Sequence, residues 1–303
     1  MKRDKSIIIL AMGVFDGVHQ GHRFILKKVC EKAKKYKGKS IVYTFHPHPI
    51  RVLAPQACPE NYMINTIKQR TQLLKNLGID KIIVEKFTKN FSKLTPELFI
   101  KKIILNKIKP SEIFVGYNFT FGVKRSGTAK DLQKLCKPHH IHVNIVSPFQ
   151  INKTITSSTK VRQLISQGEM PVAQKFLTRP YFIEGTVVKG KGIGGKVLGI
   201  PTANLKSDNE ILLPCGVYVT KTQVGSQAYP SVTNVGHNPT FQKPGKEPIV
   251  TIETHILKFR QNIVGKKIRL YFSKKLRNEK KFSSPQELIK QIHEDIKQAK
   301  KYS

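Results

Sequence analysis

The sequence predicts two domains of different fold class, an α/β domain over residues 1–180 and a mostly β domain over residues 181–303. The first is expected to be a Rossmann-like parallel sheet with helices on both faces, and the second a small antiparallel β-barrel with a closing helix. The length of 303 residues suits two domains of roughly 100–200 residues each. Strands alternate with helices before Pro180, and short β-rich runs separated by Gly, Pro and Asn follow it. The alternation is typical of parallel sheets, and the short runs are typical of barrels.

The elements of the first domain follow from hydrophobic spacing. Ser6–Gly13 is an apolar run that fits a strand buried on both faces. Apolar residues then recur at helical spacing over Ile25–Ala33, and this helix is expected to end at Lys37-Gly38. The same reasoning predicts strand Ser40–Phe45, helix Ile67–Leu77, strand Lys81–Val84, helix Pro96–Leu105, strand Glu112–Val115, helix Ala129–Cys136 and strand His142–Val146.

The second domain shows strand and turn signals, then a helix. A hairpin turn is expected at Gly225-Ser226. Ser284, Pro285 and Glu287 predict a capping box at the start of the last helix, with serine at the N-cap. The apolar stripe of that helix is expected to pack on the core; it consists of Leu288, Ile292, Ile296 and Ala299. The predicted strands are Phe182–Val188, Val217–Val224, Tyr229–Val235, Ile249–Leu257 and Lys267–Phe272.

The composition excludes some classes of protein and leaves others open. The formal net charge of +35 suggests nucleic acid, an anionic surface or anionic substrates as partners. The longest apolar run, Ile7–Phe15, has nine residues, whereas a membrane helix needs roughly 18 or more. It lacks a small-residue cleavage site, so we expect a buried strand instead of a signal peptide. The four cysteines show no CxxC spacing, which favours reduced thiols in a cytoplasmic protein.

The first group of chemically active residues lies in Gly13–His22, between the first strand and the first helix. This position is the carboxyl end of a strand, where doubly wound sheets bind ligands. His19 and His22 stand three residues apart at the start of a helix, whose N-terminus favours phosphate. Three interpretations remain open from the spacing alone: phosphate binding with imidazole donors, local helix capping, and a shared metal ion.

Three later segments are expected at the same edge of the sheet, namely Thr44–Pro49, Val115–Gly122 and Thr156–Arg162. Together, GVFDGVHQGH, FHPHP, GYNFTFG and SSTKVR resemble the adenylyltransferase module of bacterial bifunctional riboflavin kinase/FAD synthetases. The resemblance covers nearly all of residues 7–180. It implies that an FMN phosphate oxygen attacks the α-phosphate of ATP and releases pyrophosphate, with no covalent enzyme intermediate.

The resemblance also implies roles for single residues of this domain. His19 and His22 match the catalytic histidines that hold the triphosphate, and Asn118 matches the position near ATP and its metal. Two further histidines, His46 and His48, are candidates for flavin phosphate by position, although local order around two prolines explains them equally well. The implied ATP site consists of Gly13, Phe15, Asp16, His19, His22, Asn118 and the phosphate-gripping Ser158, Thr159 and Arg162.

The second group of chemically active residues begins with the glycine-rich stretch Gly190–Gly199. Consecutive backbone amides in such a loop can hold phosphates, but a flexible hairpin loop has the same composition. The stretch is not a Walker loop, because no GK[ST] opens a helix. Thr202 and Asn204 follow, and a hydroxyl and an amide oxygen two residues apart can approach one Mg²⁺ ion.

This stretch resembles the GRxLGxPTAN signature of riboflavin kinases, with Lys196 where arginine is usual. Asn234–Phe241 resembles the family's NIGxxPTF, and Leu276–Phe282 matches its LRxExxF. Glu253 matches the catalytic carboxylate, and Gln261–Gly265 departs from the usual acidic-Leu-Tyr-Gly turn. The resemblance implies a phosphate site made of Gly190, Lys191, Gly192, Gly194, Lys196 and Asn234, with Mg²⁺ on Thr202 and Asn204.

The leading hypothesis is therefore a cytoplasmic enzyme that phosphorylates riboflavin to FMN and then adenylylates FMN to FAD. ATP and Mg²⁺ would serve both steps, and no membrane partner is expected. One alternative is a nucleotidyltransferase that has kept only one active site. Another is a basic nucleic-acid-binding protein, although the chain has no Trp and no cluster of stacking aromatics among its basic residues. The sequence does not indicate an oligomeric state.

Overall fold

The computed structural model describes residues 7–190, 200–237 and 250–302. The chain divides into two compact units, Met1–Ser158 and Thr159–Ser303. The first unit holds β1 (Ile8–Met12), α1 (Gln20–Lys35), β2 (Lys39–His46), α2 (Pro49–Leu53), α3 (Ile67–Lys75), β3 (Lys81–Lys86), α4 (Pro96–Phe99), β4 (Glu112–Gly116), β5 (Thr120–Phe121), β6 (Gly127–Thr128), α5 (Ala129–Cys136), β7 (His142–Val146), β8 (Gln150–Ile151) and β9 (Thr154–Ile155).

The core of the first unit is a five-stranded sheet in the order β3-β2-β1-β4-β7. Every pair of neighbours in it is parallel. The central strand β1 shows why helices cover both faces, since its side chains alternate between two hydrophobic clusters. Ile9 and Ala11 pack with α1 and α3, whereas Leu10 and Met12 pack with the helices that precede β4 and β7. The predicted doubly wound α/β fold is confirmed.

The helix predicted over Pro96–Leu105 has a different form. Its first turn is α4, and Ile100–Ile108 continues as a π-helix. The π-type bond from Lys109 N to Ile104 O is 2.7 Å long, and Lys109 ends the helix at φ 57°. Hydrophobic spacing does not separate the two helix types over one or two turns, because their periods are close.

The second unit contains a closed barrel in the order β10-β11-β14-β13-β12-β15. All six of its strand pairings are antiparallel, which confirms the predicted architecture. The sequence pattern missed β11, which is short and carries only one buried side chain. The elements are α6 (Ser158–Ser166), α7 (Met170–Leu177), β10 (Tyr181–Val188), β11 (Ala203–Ser207), β12 (Gly216–Val224), β13 (Gln227–His237), β14 (Val250–Ile256), β15 (Lys267–Arg277) and α8 (Pro285–Lys300).

Hydroxyl groups form a network inside the barrel. The Thr220 hydroxyl lies 2.7 Å from those of both Ser231 and Thr233, and the Thr233 hydroxyl donates to Thr254 over 2.9 Å. Thr222 donates to Ser231 over 2.8 Å. All five side chains are buried, so these bonds satisfy polar groups that water does not reach. The alternate residues of the same strands therefore carry the outer surface of the barrel.

The closing helix α8 begins as predicted, but its cap differs in detail. Ser284 accepts a hydrogen bond from the backbone N–H of Glu287 over 3.2 Å. The Glu287 carboxylate, however, accepts from the backbone and hydroxyl of Ser283, one residue before the N-cap. The reciprocal bond of a capping box is thus shifted by one residue. The apolar stripe packs on the barrel, as expected, through Ile296 and the buried Ala299.

Candidate active sites

The loop that joins β1 to α1 has an unusual backbone conformation. Phe15, Gly17 and Val18 have positive φ angles of 56°, 82° and 42°. A β-branched residue such as Val18 rarely adopts this region. Phe15 and Val18 are both buried, so their packing holds the backbone in a conformation that costs roughly 1–3 kcal/mol for each such residue. The packing of these two side chains therefore offsets the backbone strain of the loop.

His19 and His22 form a stacked pair at the end of this loop. His19 is the N-cap of α1, and its Nδ1 accepts a hydrogen bond of 3.4 Å from the His22 backbone N–H. The two rings lie 3.6 Å apart between centroids, and the edge of the His22 ring meets Phe15 at 5.2 Å. Because Nδ1 of neutral His19 accepts, its proton lies on Nε2. Capping and phosphate binding are thus compatible, since they use different ring nitrogens.

The metal interpretation of this histidine pair stays a prediction from sequence. Among residues 7–190, 200–237 and 250–302, no group of three or more His, Cys, Asp or Glu side chains could hold a metal ion. Gly21, between the two histidines, faces the Thr156 carbonyl, which a Cβ at this position would approach to 3.3 Å. The start of α1 therefore packs tightly against the segment that leads into α6.

Asp16 connects the loop to the rest of the unit. The side chain is buried, and its carboxylate accepts hydrogen bonds from the backbone N–H groups of Ile64, at 3.2 Å, and Asn65, at 3.3 Å. The Ser158 hydroxyl donates to the Asp16 carbonyl over 2.9 Å. Both predicted ATP-site residues thus shape the loop through contacts within the protein. Thr159 and Arg162 follow Ser158 in α6 and belong to the second unit. Their roles in binding ATP stay predictions from sequence.

Arg70 is a buried cation that the sequence analysis missed. Its guanidinium donates to the Val14 carbonyl over 2.8 Å and to the Phe45 carbonyl over 2.7 Å. The Thr44 hydroxyl donates to the same Val14 carbonyl over 2.9 Å. Burial lowers the pKa of Arg70, and the negative charge of Asp16 acts in the opposite direction. Arg70 thus fixes the carboxyl ends of β1 and β2 to each other, directly before the loop.

We predict that Arg70→Met destabilises the protein by roughly 3–5 kcal/mol, the range for breaking a buried charge interaction. The substitution removes both bonds to carbonyl oxygens and leaves Asp16 without the compensating charge. Urea unfolding of the purified chain would measure the change. Lys68→Met is the matched control, because Lys68 lies exposed on the same helix and its loss should cost less than about 0.5 kcal/mol. Equal stabilities of the two variants would contradict the role given to Arg70.

The other predicted residues of the first unit lie along the same sheet edge. Gly13 N donates to Tyr43 O over 3.2 Å, and this bond joins the end of β1 to β2. His46 is the last residue of β2. His46 precedes a cis proline, and burial together with the Arg70 charge lowers its pKa. Asn118 is exposed after β4, with Oδ1 at 3.3 Å from the position of a Cβ on Gly116. Since β2, β1 and β4 are neighbours, their carboxyl ends bring these residues to one edge.

His48 has a local structural role. It is the N-cap of α2, where Nδ1 accepts a hydrogen bond of 3.2 Å from the Ile50 backbone. Its ring also meets the Tyr62 ring edge to face, at 5.2 Å between centroids. These contacts match the local-order interpretation of the FHPHP segment.

In the second unit, three predicted residues lie side by side on adjacent strands. Asn204 of β11 is the direct partner of Glu253 in β14, and Glu253 is also the direct partner of Asn234 in β13. Directly opposed residues of antiparallel strands share a face, with Cβ atoms about 4.5–5.5 Å apart. The neighbours of Glu253 in its own strand, Ile252 and Thr254, are buried in the barrel. This Asn204–Glu253–Asn234 row therefore lies on the outer face of the barrel, where all three residues are half-buried.

Two glycines allow other groups to approach the row. A Cβ at Gly190 would collide with the side-chain amide of Asn204, and a Cβ at Gly236 would collide with the carboxylate of Glu279. The same position at Gly236 is 3.2 Å from Asn234 Nδ2, so Glu279 lies beside the row. The sequence signal for Glu279 was its place in Leu276–Phe282, but that motif alone gave it no role.

The donor set of this surface suits Mg²⁺. Thr202 is exposed directly before β11 and carries a hydroxyl two residues before Asn204, whose direct cross-strand partner is Glu253. Hard oxygen donors of this kind, few in number, are what Mg²⁺ takes from proteins when phosphates and water supply the remaining ligands. The predicted phosphate-loop residues Lys191, Gly192, Gly194 and Lys196 lie outside the described residues, as does Asn238–Phe241 of the second motif.

The described part of the chain contains no helix that is both long and apolar enough to cross a membrane. The cysteines in it are free, and two of the four, Cys58 and Cys136, are buried.

Comparison with known proteins gives two family matches. The FAD synthetase family model matches residues 1–160, and the riboflavin kinase family model matches residues 177–303. Both predicted catalytic motifs fall in the corresponding regions.

Individual relatives match over almost their full length. The Buchnera aphidicola (from Schizaphis graminum) bifunctional riboflavin kinase/FMN adenylyltransferase is 34% identical over 100% of this chain and 96% of its own. The Bacillus subtilis enzyme of the same name is 32% identical, covering 100% and 94%. A Streptococcus pneumoniae crystal structure, described as a macrolide-efflux protein, is 30% identical with a TM-score of 0.88 and covers 99% of this chain and 95% of its own.

Proposed function

The chain belongs to the bifunctional riboflavin kinase/FMN adenylyltransferase family, and on that premise we propose which described residues carry its two reactions. The enzyme phosphorylates riboflavin to FMN with ATP in its C-terminal region and adenylylates FMN to FAD in its N-terminal region. We propose that the boundary between the two catalytic domains lies at residues 180/181, where β10 begins. Free thiols and the use of ATP support a cytoplasmic location.

For FAD formation, we assign the binding of the triphosphate to the loop Gly13–His22. In the reaction, an FMN phosphate oxygen attacks the α-phosphorus of ATP and pyrophosphate leaves. The loop places the start of α1 at the phosphates, and the neutral His19 presents Nε2–H as a donor. His22 stacks on His19, and its imidazole is a second group that stabilises the negative charge developing on the phosphates in the transition state. The chemistry then rests on positioning and charge stabilisation.

For FMN formation, we assign proton removal to Glu253. Its carboxylate accepts the proton of the terminal ribityl hydroxyl while that oxygen attacks the γ-phosphorus of ATP, the bond from this phosphorus to the β,γ-bridging oxygen breaks, and ADP leaves. Asn234, the neighbour of Glu253 in the row, offers its side-chain amide N–H to the phosphates. Thr202 and Asn204 are the residues that would hold Mg²⁺, and a bound Mg²⁺ ion supplies charge neutralisation of the phosphates. The observation that carries this assignment is the cross-strand pairing of Glu253 with both Asn204 and Asn234.

Chromatography of the products tests both assignments at once. The purified chain, incubated with riboflavin, ATP and Mg²⁺, should form FMN first and FAD second. With FMN supplied in place of riboflavin, FAD should form without a lag. A chain that makes no FMN lacks the kinase activity, and one that makes FMN without FAD lacks the adenylyltransferase activity.

A further inference from the structure

His255 makes a contact that none of the motif assignments explains. Its ring Nδ1 lies 2.8 Å from the backbone carbonyl oxygen of Pro201, 54 residues away along the chain. A carbonyl only accepts hydrogen bonds, so Nδ1 carries the proton and donates. Pro201 has no backbone N–H group. A neighbouring strand can therefore form a hydrogen bond to its backbone only through the carbonyl.

The strand register shows what this bond does for the neighbouring residues. Asn204 pairs with Glu253 and Ala203 pairs with Thr254, so continuing the register would place Thr202 opposite His255. The described β11–β14 pairing stops at Ala203, one residue short of Thr202. The His255 bond holds Pro201, the residue directly before Thr202. Thr202 therefore lies between two connected residues, Pro201 and Ala203.

His255 also lies on the correct face of the barrel. Side chains two residues apart in a strand point to the same side, so His255 shares the outer face with Glu253. The bond through Nδ1–H fixes the backbone of Pro201 and leaves the ligand positions to Thr202 and Asn204. Outer groups that orient metal ligands in this way commonly change metal affinity about 10–100-fold when they are lost.

We propose that His255 is a positioning residue of the kinase site: its Nδ1–H holds the Pro201 carbonyl and thereby keeps the Thr202 hydroxyl in line with Asn204 for the divalent cation bound with the nucleotide. The proposal rests on the cation role given above to Thr202 and Asn204. It makes His255 a residue that acts through the backbone and not on the reacting atoms.

Two amide substitutions separate this role from a general structural one. In His255→Asn the side-chain N–H can occupy the position of Nδ1, whereas in His255→Gln it is displaced by one methylene toward the position of Nε2. The probe is Mn²⁺ with ADP, and the fraction of free Mn²⁺ is measured by electron paramagnetic resonance. The adenylyltransferase site is the same in every variant, so differences report the kinase site. His293→Gln, at an exposed histidine of α8, is the control.

We expect His255→Gln to weaken Mn²⁺ binding at the kinase site about 10-fold and to lower kcat/KM for FMN formation by a similar factor. His255→Asn should stay within about 2-fold of the unsubstituted chain, and FAD formation from FMN should be unchanged in both. Unchanged Mn²⁺ binding in His255→Gln, or equal losses in the Asn and Gln variants, would overturn the proposal.

A further variant distinguishes failure of this proposal from failure of the cation assignment itself. Asn204→Ala should weaken Mn²⁺ binding whether or not His255 has a positioning role. If Asn204→Ala weakens binding and His255→Gln does not, only the role of His255 is wrong. If neither variant changes Mn²⁺ binding, the assignment of the cation to Thr202 and Asn204 is wrong as well.

Discussion

Glu253→Gln is expected to lower the rate of FMN formation from riboflavin by roughly 10²–10⁴-fold, the usual contribution of a general base. The amide keeps the size of the carboxylate but does not take up the ribityl proton. Glu253 lies on the outer face of β14, so the substitution leaves the barrel interior intact. FAD formation from added FMN should continue at the rate of the unsubstituted chain.

The measurement for this variant is initial FMN formation at saturating ATP and Mg²⁺. Glu294→Gln is the matched control, since Glu294 is exposed on α8 and its substitution should leave both rates unchanged. If the Glu253→Gln chain kept more than half of the kinase rate, Glu253 would not be the general base of the reaction. The Asn204–Glu253–Asn234 row would then be a structural feature of the barrel.

His22→Ala is expected to lower FAD formation from FMN by roughly 10²–10³-fold, the range seen when one donor to a charged transition state is removed. The loss follows from the place of His22 on the first turn of α1, stacked on His19 and against Phe15. Riboflavin phosphorylation should be retained, and FMN should accumulate.

Because the His22 ring packs within the unit, the fold of this variant needs its own measurement. A thermal unfolding curve shows whether the first unit is intact, and His22→Asn offers a second variant that keeps a donor of smaller size. His139→Ala, at an exposed histidine, is the control. An intact His22→Ala chain that makes FAD at the normal rate would contradict the role given to the histidine pair.

The sequence predicted the elements that depend on hydrophobic period and left out those that depend on contacts between distant segments. The runs over Ala129–Cys136 and His142–Val146 have the predicted bounds, because the helix buries one clear face and the strand is a short run rich in β-branched residues. Strand β11 was missed, since its pairing with β10 and β14 leaves little trace in five residues. The π-helix was missed because the nine residues of Ile100–Ile108 make about two turns, which is too short for the spacing of apolar residues to tell a π-helix from an α-helix.

The same division applies to the candidate sites. The spacing of His19 and His22 at the start of a helix indicated a site there, whereas Glu253 was indicated only by the resemblance to riboflavin kinases. Arg70 had only a weak signal, a cation on the buried side of α3, and its partners are carbonyls 25 and 56 residues away. The pairing of Glu253 with Asn204 is likewise a matter of strand register across 49 residues, which no local pattern contains. The net charge of +35 was less informative, since the described sites use few of these charges.

The central claim is that the two reactions use separate sites, one in each family region of the chain. The most direct test is a time course of FMN and FAD, by chromatography, for the Glu253→Gln and His22→Ala chains supplied with riboflavin or with FMN. Glu253→Gln should make FAD from FMN at the normal rate but form FMN from riboflavin roughly 10²–10⁴-fold more slowly. His22→Ala should convert riboflavin to FMN at the normal rate but form FAD roughly 10²–10³-fold more slowly. If either folded variant lost both reactions, or if Glu253→Gln made FAD from riboflavin at the normal rate, the assignment of separate sites would be contradicted.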